Sequence, residues 1–401
     1  MKILMIAPEP FFEPRGTPFS EYFRIRALSE LGHEIDLATY PLGQDMEITG
    51  LRIFRSLRVP GITTVKVGPS IGKLFLDFFL FFTVVKLLFK NRYDVIHTHE
   101  EAVFWGVMLR KLWRVPHIYD MHSSLPQQFK NFNIVHAAWI HKIFQAFENF
   151  ALQSSDAIIA ICPYLKEHVV ESGIKSKVFV IENTPESEAV LPGEQNTRKE
   201  LPSFPDKKVV LYAGTFEHYQ GLDLLLESIP LVAQQKPDVL FLLIGGVAKL
   251  TEFYQDKARK LMIESYVRFM EKIPAADVRH FLEMADVLVS PRKSGTNTPL
   301  KIYSYLRSGK PIVATNLVTH TQVLTSEISV LTDPNPKSFA AGIIRAMEDP
   351  EIPNLVKRAR RVAEEKYSYK EYVSKIAQLY GYVQNLKNPR ELKTATSETA
   401  L

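Results

Sequence analysis

Short apolar runs rich in β-branched residues recur along this 401-residue chain, separated by longer stretches with helical spacing. That alternation constrains the fold most strongly, because strands joined through helices run parallel and are covered on both faces. The pattern predicts strands at Ile3–Ala7, Glu34–Thr39, Asp94–His97, His117–Tyr119, Ala157–Ile161 and Val178–Ile181. A second set is expected at Val209–Ala213, Val239–Ile244, Val267–Met270, Val287–Ser290, Ile312–Ala314 and Ser329–Leu331. Between the sets, the polar and proline-bearing stretch from Asn183 to Asp206 reads as a linker. The expectation is an α/β chain of two doubly wound domains, 1–187 and 207–368, joined by a linker at 188–206. A helix at 369–387 and a disordered tail at 388–401 complete it.

The apolar fraction of 46% and charged fraction of 23% fit a folded soluble protein. A net charge of +5 suits an anionic ligand or an anionic membrane surface and is too mild and scattered for nucleic acid. One cysteine, Cys162, excludes an intramolecular disulfide and fits a reducing cytoplasm. The first apolar run is too short for a signal peptide and reads as a strand.

The segment Leu74–Phe89 is apolar almost all round a helix, broken only by Asp77, Thr83 and Lys86. It falls short of the roughly 18–20 uninterrupted apolar residues that span a bilayer. Either it is sandwiched in a core, or it rests on a membrane with Lys73, Lys86, Lys90 and Arg92 toward anionic lipid. The exposure of Phe78 and Phe82 separates the two.

Chemistry concentrates at strand ends. After Ser290 comes a polar loop with Arg292, Lys293, Gly295 and Asn297, then Thr298-Pro299 as a helix N-cap and first position, with Lys301 in the first turn. Cations at a helix start suit an anion such as a diphosphate; the plainer alternative is a solvated basic loop. Gly214 and Gly245 end two further strands, and together the three turns suggest a nucleotide-phosphate cradle. Arg15, Gly16 and Thr17 lie in the loop after the first strand, before a helix at Glu21–Leu31; there is no GxGxxG, so no dinucleotide is implied. His97, His99, His117 and His122 cluster near two strand ends without metal-ligand spacing, so no metal is expected. His122, beside Asp120, is placed to face a substrate, whereas His97 reads as a satisfied core residue.

In order and spacing, these stretches resemble the family-4 retaining glycosyltransferases of the GT-B architecture over about residues 1–385. The stretches that carry the likeness are Arg15-Gly16-Thr17, Asp94–His99, His122, Ala160–Lys166, Val180–Asn183, Tyr212–Thr215 with Gln220–Asp223, Ala285–Pro291 and Tyr303–Thr315. The resemblance implies two Rossmann-like domains facing across a cleft, a C-terminal helix crossing back to the first domain, and no obligatory metal or cofactor. It implies a nucleotide-diphosphate sugar, a UDP-sugar foremost, as donor in the second domain. The implied acceptor is a glycan or lipid-linked glycan for an envelope or extracellular polysaccharide, bound in the first domain at the inner face of the cytoplasmic membrane. Carried over residue by residue, it puts Gly214, Thr215, Gln220, Gly245, Asn297, Thr298, Pro299 and Ser304 around the donor, with Ile273 near the base. His122, Lys301 and Arg292 take the catalytic positions. The chain departs from the family pattern in four places: Thr215 and Gln220 replace an arginine and a lysine, and Thr296 and Ser304 stand near two glutamate positions. Lys301, aided by Arg292, is the expected replacement for the lost cations. A noncatalytic relative serving as scaffold or sugar-binding partner is the alternative. A sugar-nucleotide epimerase would need an acid–base carboxylate pair, which Asp120, Glu182 and Glu217 are poorly placed to form.

Overall fold

The computed structural model describes residues 1–13, 16–65, 70–124, 138–174, 177–183 and 204–387. The chain divides into two compact units, Met1–Glu182 with the chain from Lys370 on, and Asn183–Tyr369.

The first unit runs β1 (Lys2–Ala7), α1 (Gly16–Glu30), β2 (Glu34–Thr39), β3 (Leu51–Arg55), α2 (Ile71–Lys90), β4 (Val95–His99), α3 (Val103–Trp113), β5 (His117–Met121), α4 (Ala138–Ser154), β6 (Ala157–Ala160), α5 (Pro163–Glu171) and β7 (Val178–Val180). Its parallel sheet has the order β3-β2-β1-β4-β5-β6-β7. The strand order reverses between β1 and β4, the place where a doubly wound sheet opens a crevice at its carboxyl edge.

Two local expectations are corrected here. β3 escaped the sequence pattern because Arg52 and Arg55 interrupt its apolar residues. As an edge strand it needs no continuous apolar run, and Arg52 pairs with the buried Asp36 at 2.7 Å. The first helix opens at Gly16, so Gly16 and Thr17 lie in its first turn and not in a loop. Pro18 is tolerated there because first-turn N–H groups have no intrahelical acceptor.

α2 is neither sandwiched nor free. Leu76, Leu80, Val84 and Leu87 recur at helical spacing and are buried against Leu4, Ile6, Tyr40 and Ile96. Phe78 and Phe82, on the other side, are 57% and 54% exposed.

The second unit runs β8 (Lys208–Ala213), α6 (Leu222–Ala233), β9 (Val239–Gly246), α7 (Ala248–Lys260), β10 (Val267–Glu271), α8 (Ala275–Met284), β11 (Val287–Ser290), α9 (Lys301–Arg307), β12 (Ile312–Thr315), α10 (Val318–Thr321), β13 (Val330–Thr332), α11 (Pro336–Glu348) and α12 (Ile352–Lys366). α13 (Tyr369–Lys387) then belongs almost entirely to the first unit, where the Tyr380 hydroxyl lies 2.7 Å from His97 Nδ1. The second sheet has the order β10-β9-β8-β11-β12-β13 and reverses between β8 and β11. Alternate residues of β8 enter opposite cores: Val210 and Tyr212 on one face, Val209 and Leu211 on the other. This two-sided burial accounts for the near-continuous apolar strands.

Candidate active site

The loops after β8 and β11 emerge at the switch point of the second sheet, and glycines let them pack on each other and on the end of β9. A Cβ on Gly245 would stand 2.4 Å from the Gly214 carbonyl oxygen, and one on Gly221 would stand 1.9 Å from that of Pro291. Gly221 also has φ +78°, so both contact and conformation require glycine. The Lys293 N–H donates to the Tyr219 carbonyl at 3.1 Å, tying the β11 loop to the β8 loop.

Lys301, the first residue of α9, reaches into this junction. Its Nζ is buried without a hydrogen-bond partner, 3.8 Å from the centroid of the Tyr212 ring. A Cβ on Gly214 would come within 2.9 Å of that Nζ, so the glycine leaves the ammonium room. The Tyr212 hydroxyl donates to the Thr215 carbonyl at 2.6 Å, which fixes the ring. Arg292 lies over Tyr219, 5.1 Å from its ring centroid, and its Nη1 donates to the Asn297 carbonyl and the Thr319 hydroxyl, each at 2.8 Å. Its Nε is buried and unbonded. Burial, then the Arg292 charge, holds the Lys301 amine well below the usual lysine range. Burial likewise lowers Arg292. Among the described residues neither cation forms an ion pair with a carboxylate. Such a pair can receive an anion, whose charge would raise the Lys301 amine back toward its ordinary range.

The remaining expected donor residues differ in exposure. Thr215 is exposed, while Gln220 is buried with an unbonded Oε1. Pro299 and Ser304 are buried and Asn297 is half-buried. Ile273, just beyond β10, packs against the core that contains Leu242 and Ile244. The helix start differs from the expectation: α9 begins at Lys301, and the buried Thr298 hydroxyl caps nothing. Pro299 and Leu300 already form a tight turn, with the Ile302 N–H on the Pro299 carbonyl at 3.0 Å. Thr298 therefore sits two residues ahead of the cap position, which Leu300 occupies. Near the two glutamate positions, the Thr296 carbonyl accepts from Gln322 Nε2 at 2.7 Å and the Ser304 carbonyl accepts from the Ser308 N–H at 3.1 Å.

His320 was not singled out from the sequence. Its Nδ1 lies 2.9 Å from the Thr315 carbonyl and its Nε2 lies 2.8 Å from Ser290 Oγ, so Nδ1–H donates and Nε2 accepts. Thr315 Oγ1 in turn donates to the Arg292 carbonyl at 2.6 Å. His320 thus pins the ends of β11 and β12 behind Arg292. A lone histidine after a strand carries no sequence signal for that role.

At the switch point of the first sheet, Arg24 of α1 grips Asp120 of β5, both with fully buried side chains, at 2.9 Å. His97 Nε2 meets the same Asp120 oxygen at 3.3 Å, so His97 is the satisfied core residue expected of it. His99 Nδ1 lies 3.2 Å from His122 Nε2, and His122 Nε2 lies 3.4 Å from Asp120 Oδ1. His122 is thus buried among charged neighbours at the end of β5. Burial lowers all three histidines, and Asp120 opposes it. Burial would raise Asp120, but Arg24 and then His122 hold it well below the carboxylate range. His97, His99 and Asp120 offer ligand atoms within 4.8 Å of one another. The Arg24 guanidinium already neutralises that carboxylate, so the donor set fits a hydrogen-bonded network better than a cation site. Beside it, Glu9 and Glu21 form a second buried group: burial raises both carboxyls, and a hydrogen bond between the two side chains raises Glu9 and lowers Glu21. Arg15 lies outside the described residues, as does nearly all of the expected linker and the whole of the tail.

The chain thus has two doubly wound units with parallel sheets, and the second buries the Lys301 Nζ and Arg292 Nε near its switch point without a carboxylate partner among the described residues. The family described as Glycosyltransferase Family 4 matches residues 24–184, and that described as Glycosyl transferases group 1 matches residues 193–368. The chain belongs to this family of nucleotide-sugar-dependent glycosyltransferases. It is 24% identical to an uncharacterized glycosyltransferase of Methanocaldococcus jannaschii, over 87% of this chain and 90% of that one. It is also 24% identical to the phosphatidylinositol N-acetylglucosaminyltransferase GPI3 subunit of Saccharomyces cerevisiae, over 69% of this chain and 60% of the relative. Among solved structures, sucrose-phosphate synthase from Thermosynechococcus elongatus superposes with a TM-score of 0.74 at 20% identity, covering 98% and 99% of the two chains. HepE of Anabaena in complex with UDP gives 0.71 at 18% identity, covering 95% and 100%. These likenesses establish the GT-B fold.

Proposed function

We propose that the chain transfers a sugar, with retention, from a nucleoside-diphosphate donor to a glycan or lipid-linked glycan acceptor for an envelope or extracellular polysaccharide. In this reading UDP is the nucleotide and the donor diphosphate sits at Gly214, Lys301 and Arg292. The observation that carries it is the Lys301 amine, buried and unpaired over Tyr212. As the bond from the sugar's anomeric carbon to the diphosphate oxygen breaks, charge builds on the phosphate. Lys301 and Arg292 stabilise it there. The acceptor oxygen bonds to the same face of that carbon, and its proton passes to the departing phosphate. Cations fixed in a buried site stabilise such developing charge with little reorganisation.

Further roles follow from the same reading. Thr215, Gln220 and Gly245 line the diphosphate, Asn297, Thr298, Pro299 and Ser304 the donor sugar and ribose, and Ile273 the base. Arg15, Gly16 and Thr17 serve the acceptor side, and His122 contacts the transferred sugar. No metal is required. The domain limits are 1–187 and 207–368. The enzyme works in the cytoplasm, with 73–92 against the inner face of an anionic membrane; that a relative is named for phosphatidylinositol supports a lipid-borne acceptor.

A thermal-shift panel of UDP, GDP, ADP and CMP on the wild type and Lys301→Ala tests the donor site. A shift with one diphosphate that is lost in the variant supports the assignment. No shift with any of them returns the noncatalytic alternative.

A further inference from the structure

We infer that one face of the first unit, built from α2, α3 and α4 together, docks on a bilayer with anionic headgroups. This extends the contact beyond 73–92 and rests on the lipid-borne acceptor reading for its purpose.

The three helices lie side by side. Phe81 of α2 meets Trp105 of α3 at 5.8 Å between ring centroids, Phe89 meets Trp113 at 5.3 Å, and Phe104 of α3 meets Phe147 of α4 at 6.0 Å. Their outer side exposes Phe78, Phe82 and Phe89 from α2, Leu112 from α3, and Phe147 and Phe150 from α4. Large apolar side chains grouped on one surface mark an interaction site, whereas singly scattered ones do not.

Charge selects the occupant. Lys86, Lys90, Lys111 and Lys142 are exposed on the same helices. Their two carboxylates are both engaged: Asp77 accepts from the Tyr40 hydroxyl, and the buried Glu148 accepts from Ser124 and pairs with His168 at 2.6 Å. The face is therefore aromatic and cationic with no free carboxylate, the composition that binds an anionic leaflet. A second copy meeting this face through a two-fold axis would set lysines against lysines. Among the described residues no helix is long and apolar enough to cross a membrane, so the contact is interfacial.

Flotation of the full chain with phosphatidylcholine vesicles, with and without phosphatidylglycerol, tests this. The wild type should float with the phosphatidylglycerol vesicles. Binding should fall at least about tenfold in Lys86→Gln/Lys90→Gln/Lys111→Gln and disappear in Phe78→Ser/Phe82→Ser/Phe147→Ser. A wild type that stays unbound, or an aromatic variant that floats as well as the wild type, overturns the inference. So does a doubled mass in solution that the aromatic variant loses while no vesicle is bound, which would assign the face to a second copy. The UDP thermal shift is measured on every variant. Its survival shows an intact fold and keeps the donor site separate from any failure of the membrane contact.

Discussion

Lys301 Nζ stands 3.8 Å above the centre of the Tyr212 ring, inside the second unit and without a hydrogen-bond acceptor. Tyr212 lies near the end of β8 and Lys301 opens α9, the helix that follows β11, so the contact joins elements from either side of the point where the sheet order reverses. The aromatic face offsets part of the cost of burying a cation but leaves all its donors available.

Replacing Lys301 with Ala should lower turnover about a hundredfold, the usual loss when a donor to developing charge is removed. A loss within about twofold would reassign the charge to other groups. Because burial and Arg292 lower the amine, bound UDP should raise it again, with proton uptake at pH values near its titration. Calorimetry in buffers of different ionisation enthalpy would show the uptake in the wild type and not in Lys301→Met.

Gly221→Ala should destabilise the second unit and weaken UDP binding, since its Cβ would meet the Pro291 carbonyl oxygen at 1.9 Å. Gly173→Ala provides the control. It has a similar φ of +86° but nothing within 4 Å of the added carbon, so it should show only the backbone cost of about 1 kcal/mol. Equal melting temperatures for the two variants would refute the close-packing argument.

Burial, opposed by the hydrogen bond with Glu9 and aided by the Asp120 charge, pushes the Glu21 carboxyl up to about 8. Between the ordinary carboxyl range and that value, the folded chain holds a proton that the unfolded chain has released. Stability contributed by this group therefore falls as pH rises through the window, by up to about 1.4 kcal/mol per pH unit. Denaturation of wild type and Glu21→Gln should diverge toward high pH, with the variant the more stable. Parallel curves would place the proton elsewhere.

The opposite sign holds for His320, which burial lowers to about 3. Below about pH 6.5 the unfolded imidazole takes a proton that the folded one refuses, so stability is lost as pH falls. His320→Ala should flatten that acid limb relative to the wild type. By freeing Ser290 and Thr315 it should also weaken UDP binding about tenfold, roughly the worth of one hydrogen bond. Unchanged affinity would confine His320 to stability alone.

Much of this was legible in the residues themselves. Among the described residues, twelve of the thirteen strands announce themselves as apolar runs within a residue or two, and β3 failed because an edge strand can carry Arg52 and Arg55. The glycines at strand ends and the cations Arg292 and Lys301 stood out because turn geometry and charge are local properties. Thr298 misled for the same reason: its hydroxyl before a proline has the local chemistry of a cap, but the helix begins at Lys301.

The sequence by itself determined the alternation of strands and helices, the division into two units, and the surplus of cations over carboxylates after Ser290. Only the tertiary structure decided that Lys301 Nζ and Arg292 Nε are buried without a carboxylate partner among the described residues, that Glu9 and Glu21 are brought together, and that His320 holds the ends of β11 and β12 behind Arg292. Burial sets those charges and hydrogen bonds, and burial depends on neighbours that approach from distant parts of the chain.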